Sequence, residues 1–365
     1  MRIALSIHHE LTEGTGAPGA TTELARALEA RGHEVDLWSF DLLGGDRGTS
    51  TAIRYPHHVA ALVRKAQRFD VVDASTGDLA WVRRRAKNPL LVTRSHGLEP
   101  LVVAARKAGA ARGELDLRWR YSLYHGGFRL REVNRSLRIA DEVIVLSQAE
   151  ADYCRTLHVE AAHVTIGTSA LPTWLSNQTP AQAGDHPIVV LLGGTAWRKG
   201  ADIAIAALEP VLRNFPQLRV RWLGASEHEV ARLVSNELAH RFEPVPTYTQ
   251  RDLPRLFTEA SVALLCSRVE GMPLSLLEAA AFAVPVITSA IPGNADLLQM
   301  SHGGRLVPAG DIDATTRALE EVLSDPELRI KLGAAAFQDV QTRTWDHVAA
   351  STEALYLRAL ERRMS

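Results

Sequence analysis

The stretch Val262-Ala-Leu-Leu-Cys-Ser-Arg-Val-Glu-Gly-Met-Pro-Leu-Ser-Leu-Leu-Glu-Ala-Ala-Ala-Phe-Ala-Val-Pro-Val-Ile-Thr-Ser289 decides the fold. Val262 to Ser267 is an apolar run of buried-strand length, broken at Arg268-Val-Glu-Gly271. Helix formers resume from Pro273 to Phe282, and Val284 to Ser289 reads as a second strand. Strand, tight turn, helix and strand make one βαβ unit, in which ligands bind where the strand's carboxyl end meets the helix amino terminus. Pro273 suits the first helical turn, where its missing N–H costs nothing. The amides of Leu274 to Leu276 are then expected to point at an anion. Glu270 falls on the loop before the helix and Glu278 about a turn and a half into it, so two carboxylates lie at different depths of one cleft.

Upstream, Ile188 to Leu192 reads as a strand running into Gly193-Gly-Thr-Ala-Trp-Arg-Lys-Gly200 and a helix carrying Ile203, Ala206 and Leu208. A glycine turn, the cations Arg198 and Lys199 and a helix amino terminus together suit a diphosphate. Leu218 to Gly224 and a segment starting near Phe242 add strands. Leu171 to Pro187, punctuated by Pro172, Pro180, Gly184 and Pro187, reads as a linker.

The amino-terminal half repeats the alternation. Arg2 to Ile7 reads as a parallel strand, His8 to Ala20 as a polar glycine-containing loop, and Thr21 or Thr22 as the cap of a helix that stops at Arg31-Gly32. Glu34 to Trp38, Phe69 to Asp73, Pro89 to Arg94, Asp141 to Ser147 and Ala162 to Gly167 read as further strands. Gly14-Thr-Gly16-Ala-Pro-Gly19 is formally a G-x-G-x-x-G with Asp36 at ribose-binding distance, which carries the alternative of an NAD-binding oxidoreductase. Against it, six residues separate the strand from Gly14, and Pro18 stiffens the turn. His8 and His9 leave a strand in diverging directions, so no shared metal ion is expected there. His96, followed by Gly97 at a strand's carboxyl end, falls on the ligand side of the sheet and can donate or accept a hydrogen bond. From Arg106 to Arg138 the chain is basic, with Arg118, Arg120, Arg129, Arg131 and Arg135 among Trp119, Tyr121, Tyr124 and Phe128; Trp81 to Lys87 is similar. A solvated helical face, an anionic-acceptor site and contact with an acidic membrane surface all fit this composition.

With 365 residues the chain exceeds the size at which one core stops growing, so two domains are expected. A net charge of −1 gives no overall reason to expect nucleic acid as a partner. Cys154 and Cys266, far apart and in apolar surroundings, suggest neither a disulfide framework nor a thiolate metal site. A strand-like start, without a signal peptide or a bilayer-length apolar run, gives a cytoplasmic expectation.

The spacing Glu270-x7-Glu278, with Gly271, Pro273 and Ala279 around it, resembles the E-x7-E signature of retaining nucleotide-sugar glycosyltransferases of family 4 (glycosyl transferases group 1). That resemblance implies the GT-B fold: α/β, with two Rossmann-like doubly wound domains facing across a cleft. Its expected boundaries are 1–175, a linker over 176–187, a nucleotide-sugar-binding domain over 188–345, and a last helix over 346–365 crossing back. Transfer of a hexosyl group from a nucleotide-diphosphate sugar to an acceptor hydroxyl, with retention, is the implied reaction. It needs no cofactor and no metal. The resemblance gives Glu270 the donor sugar, Glu278 the ribose, His96 the sugar, and Lys199 with Arg198 the diphosphate. Gly271, Met272, Pro273 and Leu274 line the donor seat, and Gly16 lies on a loop approaching phosphate. The sequence departs from the family where Gly194 replaces an Arg of G-R-x4-K-G, Ile166 to Ser169 replaces P-N-G-V, Asp296 replaces a Glu, and Ala283 replaces a Gly. A sugar epimerase or phosphorylase of the same fold, and a non-catalytic binding protein that keeps the fold, are the remaining alternatives. The acceptor stays open among glycans, lipid-linked and small molecules, with peripheral contact at the inner membrane surface implied by the basic segment.

Overall fold

The computed structural model describes residues 1–11, 16–43, 49–65, 68–85, 88–176, 178–180 and 183–364. The chain forms two compact units, one of Met1–Ser169 with Trp345–Ser365 and one of Ala170–Thr344. Each is built on a six-stranded sheet, parallel at every pairing.

The first sheet has the order β2-β1-β3-β4-β5-β6. Its strands are β1 (Arg2–Ser6), β2 (Glu34–Trp38), β3 (Val71–Ser75), β4 (Leu90–Arg94), β5 (Glu142–Val145) and β6 (Val164–Ile166). The second has the order β12-β11-β10-β7-β8-β9. It contains β7 (Ala183–Leu192), β8 (Arg219–Leu223), β9 (Phe242–Val245), β10 (Glu259–Leu265), β11 (Val286–Ser289) and β12 (Gly304–Val307). Counted within its own unit, the second sheet runs 6-5-4-1-2-3, the doubly wound Rossmann order. The strand order reverses between β7 and β10, and in sheets of this kind ligands bind at such a switch point, outside the strands' carboxyl ends.

Strand alternation sorts the second core into two layers. Val189, Leu191, Val220, Trp222, Val262 and Leu264 face one layer; Ile188, Val190, Leu192, Ala263 and Leu265 face the other. Both layers are apolar because helices cover both faces of a parallel sheet. In the first unit, Ala4, Val72, Ala74 and Leu91 share one cluster with Trp38 and Tyr55, and Val143, Val145 and Leu98 share another.

Several boundaries differ from the sequence reading. The first unit ends at Ser169 rather than 175, because Leu171 and Leu175 are buried in the second unit's core. β7 starts at Ala183 rather than Ile188, inside the expected linker, of which residues 177, 181 and 182 lie outside the described residues. The first long helix, Gly16–Ala30, begins upstream of its expected caps. Thr21 and Thr22 instead donate their hydroxyls to the carbonyls of Ala17 and Pro18 four residues back. Pro18 is accepted because a first turn has no N–H partner to lose.

The last helix, Trp345–Met364, belongs to the first unit. Its Tyr356 is fully buried and donates to Asp73 at 2.6 Å. Arg31 pairs with Asp346 and Glu353 at 3.0 and 2.7 Å. Among the described residues no helix is long and apolar enough to cross a membrane.

Candidate active site

β7 and β10 are hydrogen-bonded parallel neighbours, so the loops following them emerge side by side. The first loop, residues 193–200, needs its glycines. Gly193 has φ 90°, and a Cβ there would lie 2.9 Å from Cδ of Lys199, so the lysine stem rests on bare backbone. The Gly193 carbonyl accepts the indole N–H of buried Trp222 at 2.8 Å. Gly200 has φ 65°, and a Cβ there would lie 1.9 Å from the Cys266 carbonyl oxygen. At Gly194 a Cβ would come within 2.7 Å of the Gly224 carbonyl. The position that holds arginine in the pattern G-R-x4-K-G therefore has no room for a side chain here.

The second loop leaves the sheet at Cys266. The backbone N–H of Arg268 donates to the carbonyl of Arg198 at 2.8 Å, stitching the loops together. Its guanidinium donates to the Trp197 carbonyl at 2.9 Å and to both Asp202 oxygens at 2.8 and 2.6 Å. It also lies 5.1 Å from the centre of the Trp197 ring. The bonds to Arg268 hold the Asp202 carboxyl below its ordinary range.

Glu270 is drawn to the cations. Lys199 Nζ donates to its Oε1 at 2.6 Å, Arg198 Nη1 reaches both oxygens at 3.1 and 3.2 Å, and the Ser267 hydroxyl donates at 2.8 Å. The Glu270 side chain is 9% exposed, Lys199 17% and Arg198 44%. Gly293 opens the helix Pro292–Ser301 against this loop, and a Cβ there would lie 1.8 Å from the Gly271 carbonyl oxygen.

Glu278 sits in the helix Leu274–Ala280 and is buried. Burial pushes its carboxyl up to about 7, against the opposing pulls of the Gln250 amide and the Lys199 charge. Gln250 Nε2 donates to it at 3.3 Å. Tyr248 is pushed up to about 12 by burial and by the neighbouring Glu278. The anion seat is narrower than the sequence suggests: Pro273 stands at the helix cap rather than within its first turn, and the amide of Leu276 donates to the Pro273 carbonyl at 3.0 Å. Gly271, Met272 and Leu274 are half-buried around it.

In the first unit His96 follows β4, and Gly97, with φ 122°, places its amide 3.0 Å from the Ser95 hydroxyl. Burial, with the Arg94 charge and the nearby His8 and His9, pushes the His96 ring down to about 3. It is therefore neutral near pH 7 and carries one donor and one acceptor nitrogen. Gly16 opens its helix with φ 63°, while Gly14 lies outside the described residues. Asp36 is paired with Arg68 at 2.7 Å.

The basic segment is not uniformly solvated. Arg118, Arg120, Arg131 and Arg135 are exposed, but Arg129 is buried. Arg129 donates to the Thr76 carbonyl at 2.7 Å and to Glu99 at 3.0 Å, and its guanidinium lies flat against Gly77. Ala86 and Lys87 of the upstream basic run lie outside the described residues. Among the described residues no group of three or more His, Cys, Asp or Glu is placed to hold a metal ion.

Sequence reasoning missed Ser267, Gln250, Arg268 with Asp202, and Gly293. Ser267 stands three residues before Glu270 in one loop, a spacing that could have flagged it. Arg268 lies in that loop too, but its partner Asp202, and Gln250 and Gly293, come from distant segments, and only folding reveals them.

Two family models match the chain: Glycosyltransferase Family 4 over residues 15–166 and Glycosyl transferases group 1 over residues 174–339. A D-inositol 3-phosphate glycosyltransferase of Streptomyces coelicolor is 31% identical over 192 residues, 48% of this chain and 41% of the relative. A GDP-mannose-dependent alpha-(1-6)-phosphatidylinositol monomannoside mannosyltransferase of Mycolicibacterium smegmatis is 30% identical over 162 residues, 42% of each chain. The chain thus spans about two-fifths of the length of these curated relatives. Among solved structures, sucrose-phosphate synthase from Thermosynechococcus elongatus superposes with a TM-score of 0.77 at 22% identity, covering 99% of both chains. Anabaena HepE in complex with UDP-glucose gives 0.70 at 17%, covering 97% of this chain and 99% of that one. At these identities the likeness speaks for the fold.

Proposed function

The chain belongs to the GT-B glycosyltransferases, its first part to glycosyltransferase family 4 and its second to glycosyl transferases group 1, and from that membership we propose that it transfers a hexosyl group from a nucleotide-diphosphate sugar to an acceptor hydroxyl with retention. The observation that carries this reading is the meeting of Lys199, Arg198, Ser267 and Glu270 at the switch point of the second sheet, with Glu278 buried in the following helix.

Departure of a nucleoside diphosphate builds negative charge on the leaving phosphate, so fixed cations aimed at it are the largest catalytic contribution available. Lys199 and Arg198 take that role, and Arg198 supplies the charge for which Gly194 has no room. Glu270 accepts hydrogen bonds from the sugar hydroxyls. Glu278, shielded from water, accepts from the ribose. His96, neutral near pH 7, hydrogen-bonds a substrate hydroxyl. UDP-glucose in the HepE complex and the GDP-mannose of the mannosyltransferase's name support a nucleotide-sugar donor. Trp119 and Leu123, 68% and 63% exposed beside Arg118 and Arg120, support peripheral contact of segment 106–138 with an anionic membrane surface or a lipid-linked acceptor.

The test is thermal unfolding with UDP, GDP, ADP, dTDP or NAD, repeated with Glu278→Ala. One nucleoside diphosphate at a hundred times its Kd should stabilise the protein by about 2.7 kcal/mol, and the variant should lose the shift. A shift from NAD alone would return the reading to the Gly14–Gly19 loop and an oxidoreductase.

A further inference from the structure

We infer that Glu270 is an internal counter-ion that holds the phosphate-binding cations in the ligand-free protein, and that a donor diphosphate enters by displacing it. The inference rests on the donor reading of this site and adds a step to it.

The cations are fixed from behind. Lys199 lies along Gly193, the Arg198 carbonyl is held by the Arg268 amide at 2.8 Å, and the Trp197 carbonyl by the Arg268 guanidinium at 2.9 Å. Asp202 clamps that guanidinium at 2.6 Å, leaving Arg268 as an anchor rather than a ligand cation. Glu270 stands in front of the cations, accepting from Lys199, Arg198 and Ser267. Its carboxylate occupies the position that suits a phosphate oxygen, and at 9% exposure it is the least exposed of the three charged partners.

A diphosphate brought to the same nitrogens would face this carboxylate at a few ångströms, where two like charges strongly oppose each other. Glu270 must therefore release the cations before the phosphates seat, and release frees it to accept from the sugar. The ligand's apparent affinity falls by the fraction of molecules in which Glu270 has let go. A nucleoside diphosphate without its sugar displaces the carboxylate and offers it no hydroxyl in return, so the whole donor is favoured over its product.

The experiment is calorimetric titration of the full chain with inorganic pyrophosphate, and with whichever nucleoside diphosphate stabilises the wild type, against Glu270→Gln. The amide cannot neutralise Lys199 and Arg198, so both probes should bind about tenfold tighter to the variant, while sugar transfer is lost. A contact serving only the sugar would leave pyrophosphate affinity unchanged. Ser267→Ala provides a second route should Glu270→Gln fail to fold: without the hydroxyl at 2.8 Å the carboxylate is held less firmly, and pyrophosphate should bind about threefold tighter. Glu270→Asp, which keeps the charge, should stay within about threefold of wild type. Unchanged or weaker pyrophosphate binding in folded Glu270→Gln, with wild-type binding intact, overturns this inference alone. If neither probe binds wild type or variants, the donor reading falls and this inference with it.

Discussion

At the scale of the residue, Glu278 sets burial against charge. Its carboxyl is pushed up from an ordinary 4.5 to about 7, chiefly by burial. A native state that keeps its proton to higher pH than the unfolded chain gains stability below the unfolded value and loses it as pH rises through about 7. Glu278→Gln carries no such charge to bury. The stability of wild type relative to Glu278→Gln should therefore decline by on the order of 3 kcal/mol from about pH 4 to about pH 8. Urea unfolding at a series of pH values measures it, and a flat difference would mean that the carboxylate is solvated in the native state. Glu270 and Glu278 were legible as a pair from their spacing within a strand-turn-helix-strand stretch. Which of them meets the cations was not, because that depends on the β7 loop arriving beside the β10 loop.

At the scale of the element, the helix Leu274–Ala280 ends in a Schellman motif, with the Val284 amide on the Ala279 carbonyl at 3.1 Å and the Ala283 amide on the Ala280 carbonyl at 2.9 Å. Ala283 takes the left-handed position at φ 55°. The helix Gly16–Ala30 closes the same way, with the His33 amide on Leu28 and the Gly32 amide on Glu29, but there the left-handed residue is glycine, at φ 87°. An L side chain in that conformation costs about 1 kcal/mol that glycine does not. Ala283→Gly should raise the second unit's unfolding free energy by about that amount, measured by denaturant titration; no gain would mean that the Ala283 methyl contributes packing of equal size. The departure from the family's glycine was visible in the sequence. That it falls on a left-handed cap needed the backbone. The Thr21 and Thr22 caps failed for the converse reason: threonines can bond back to a carbonyl four residues earlier within a helix as readily as they can begin one.

At the scale of the whole molecule, two units with separate cores should unfold in two calorimetric transitions, only one of them moved by a nucleoside diphosphate. Removing residues 345–365 strips Val348, Leu355 and Tyr356 from the first unit, together with the bond from Tyr356 to Asp73. Lost packing on this scale costs more than about 3 kcal/mol. The first unit's transition should weaken or vanish, and the nucleotide-dependent one should persist. Loss of both would show that the second unit needs the first in order to fold. The chain itself sets this arrangement, since a helix at its carboxyl end completes the core of its beginning.

Alternating apolar runs, glycine turns and helix periods, read by themselves, determined that strands and helices alternate in both halves of this chain; that the halves are two doubly wound units was what the family resemblance implied. They also placed Lys199, Arg198, Glu270 and Glu278 near strand ends, because period and turn chemistry are local properties written in neighbouring residues. Tertiary structure alone decided that Lys199 and Arg198 direct their charge at Glu270, that Arg268 is bound to Asp202, that Gln250 meets Glu278, and that buried Arg129 meets Glu99. Each of these pairs brings together segments from 28 to 72 residues apart. Whether such charges meet is a matter of which loops share a sheet edge, and strand order fixes that only once the sheet has formed.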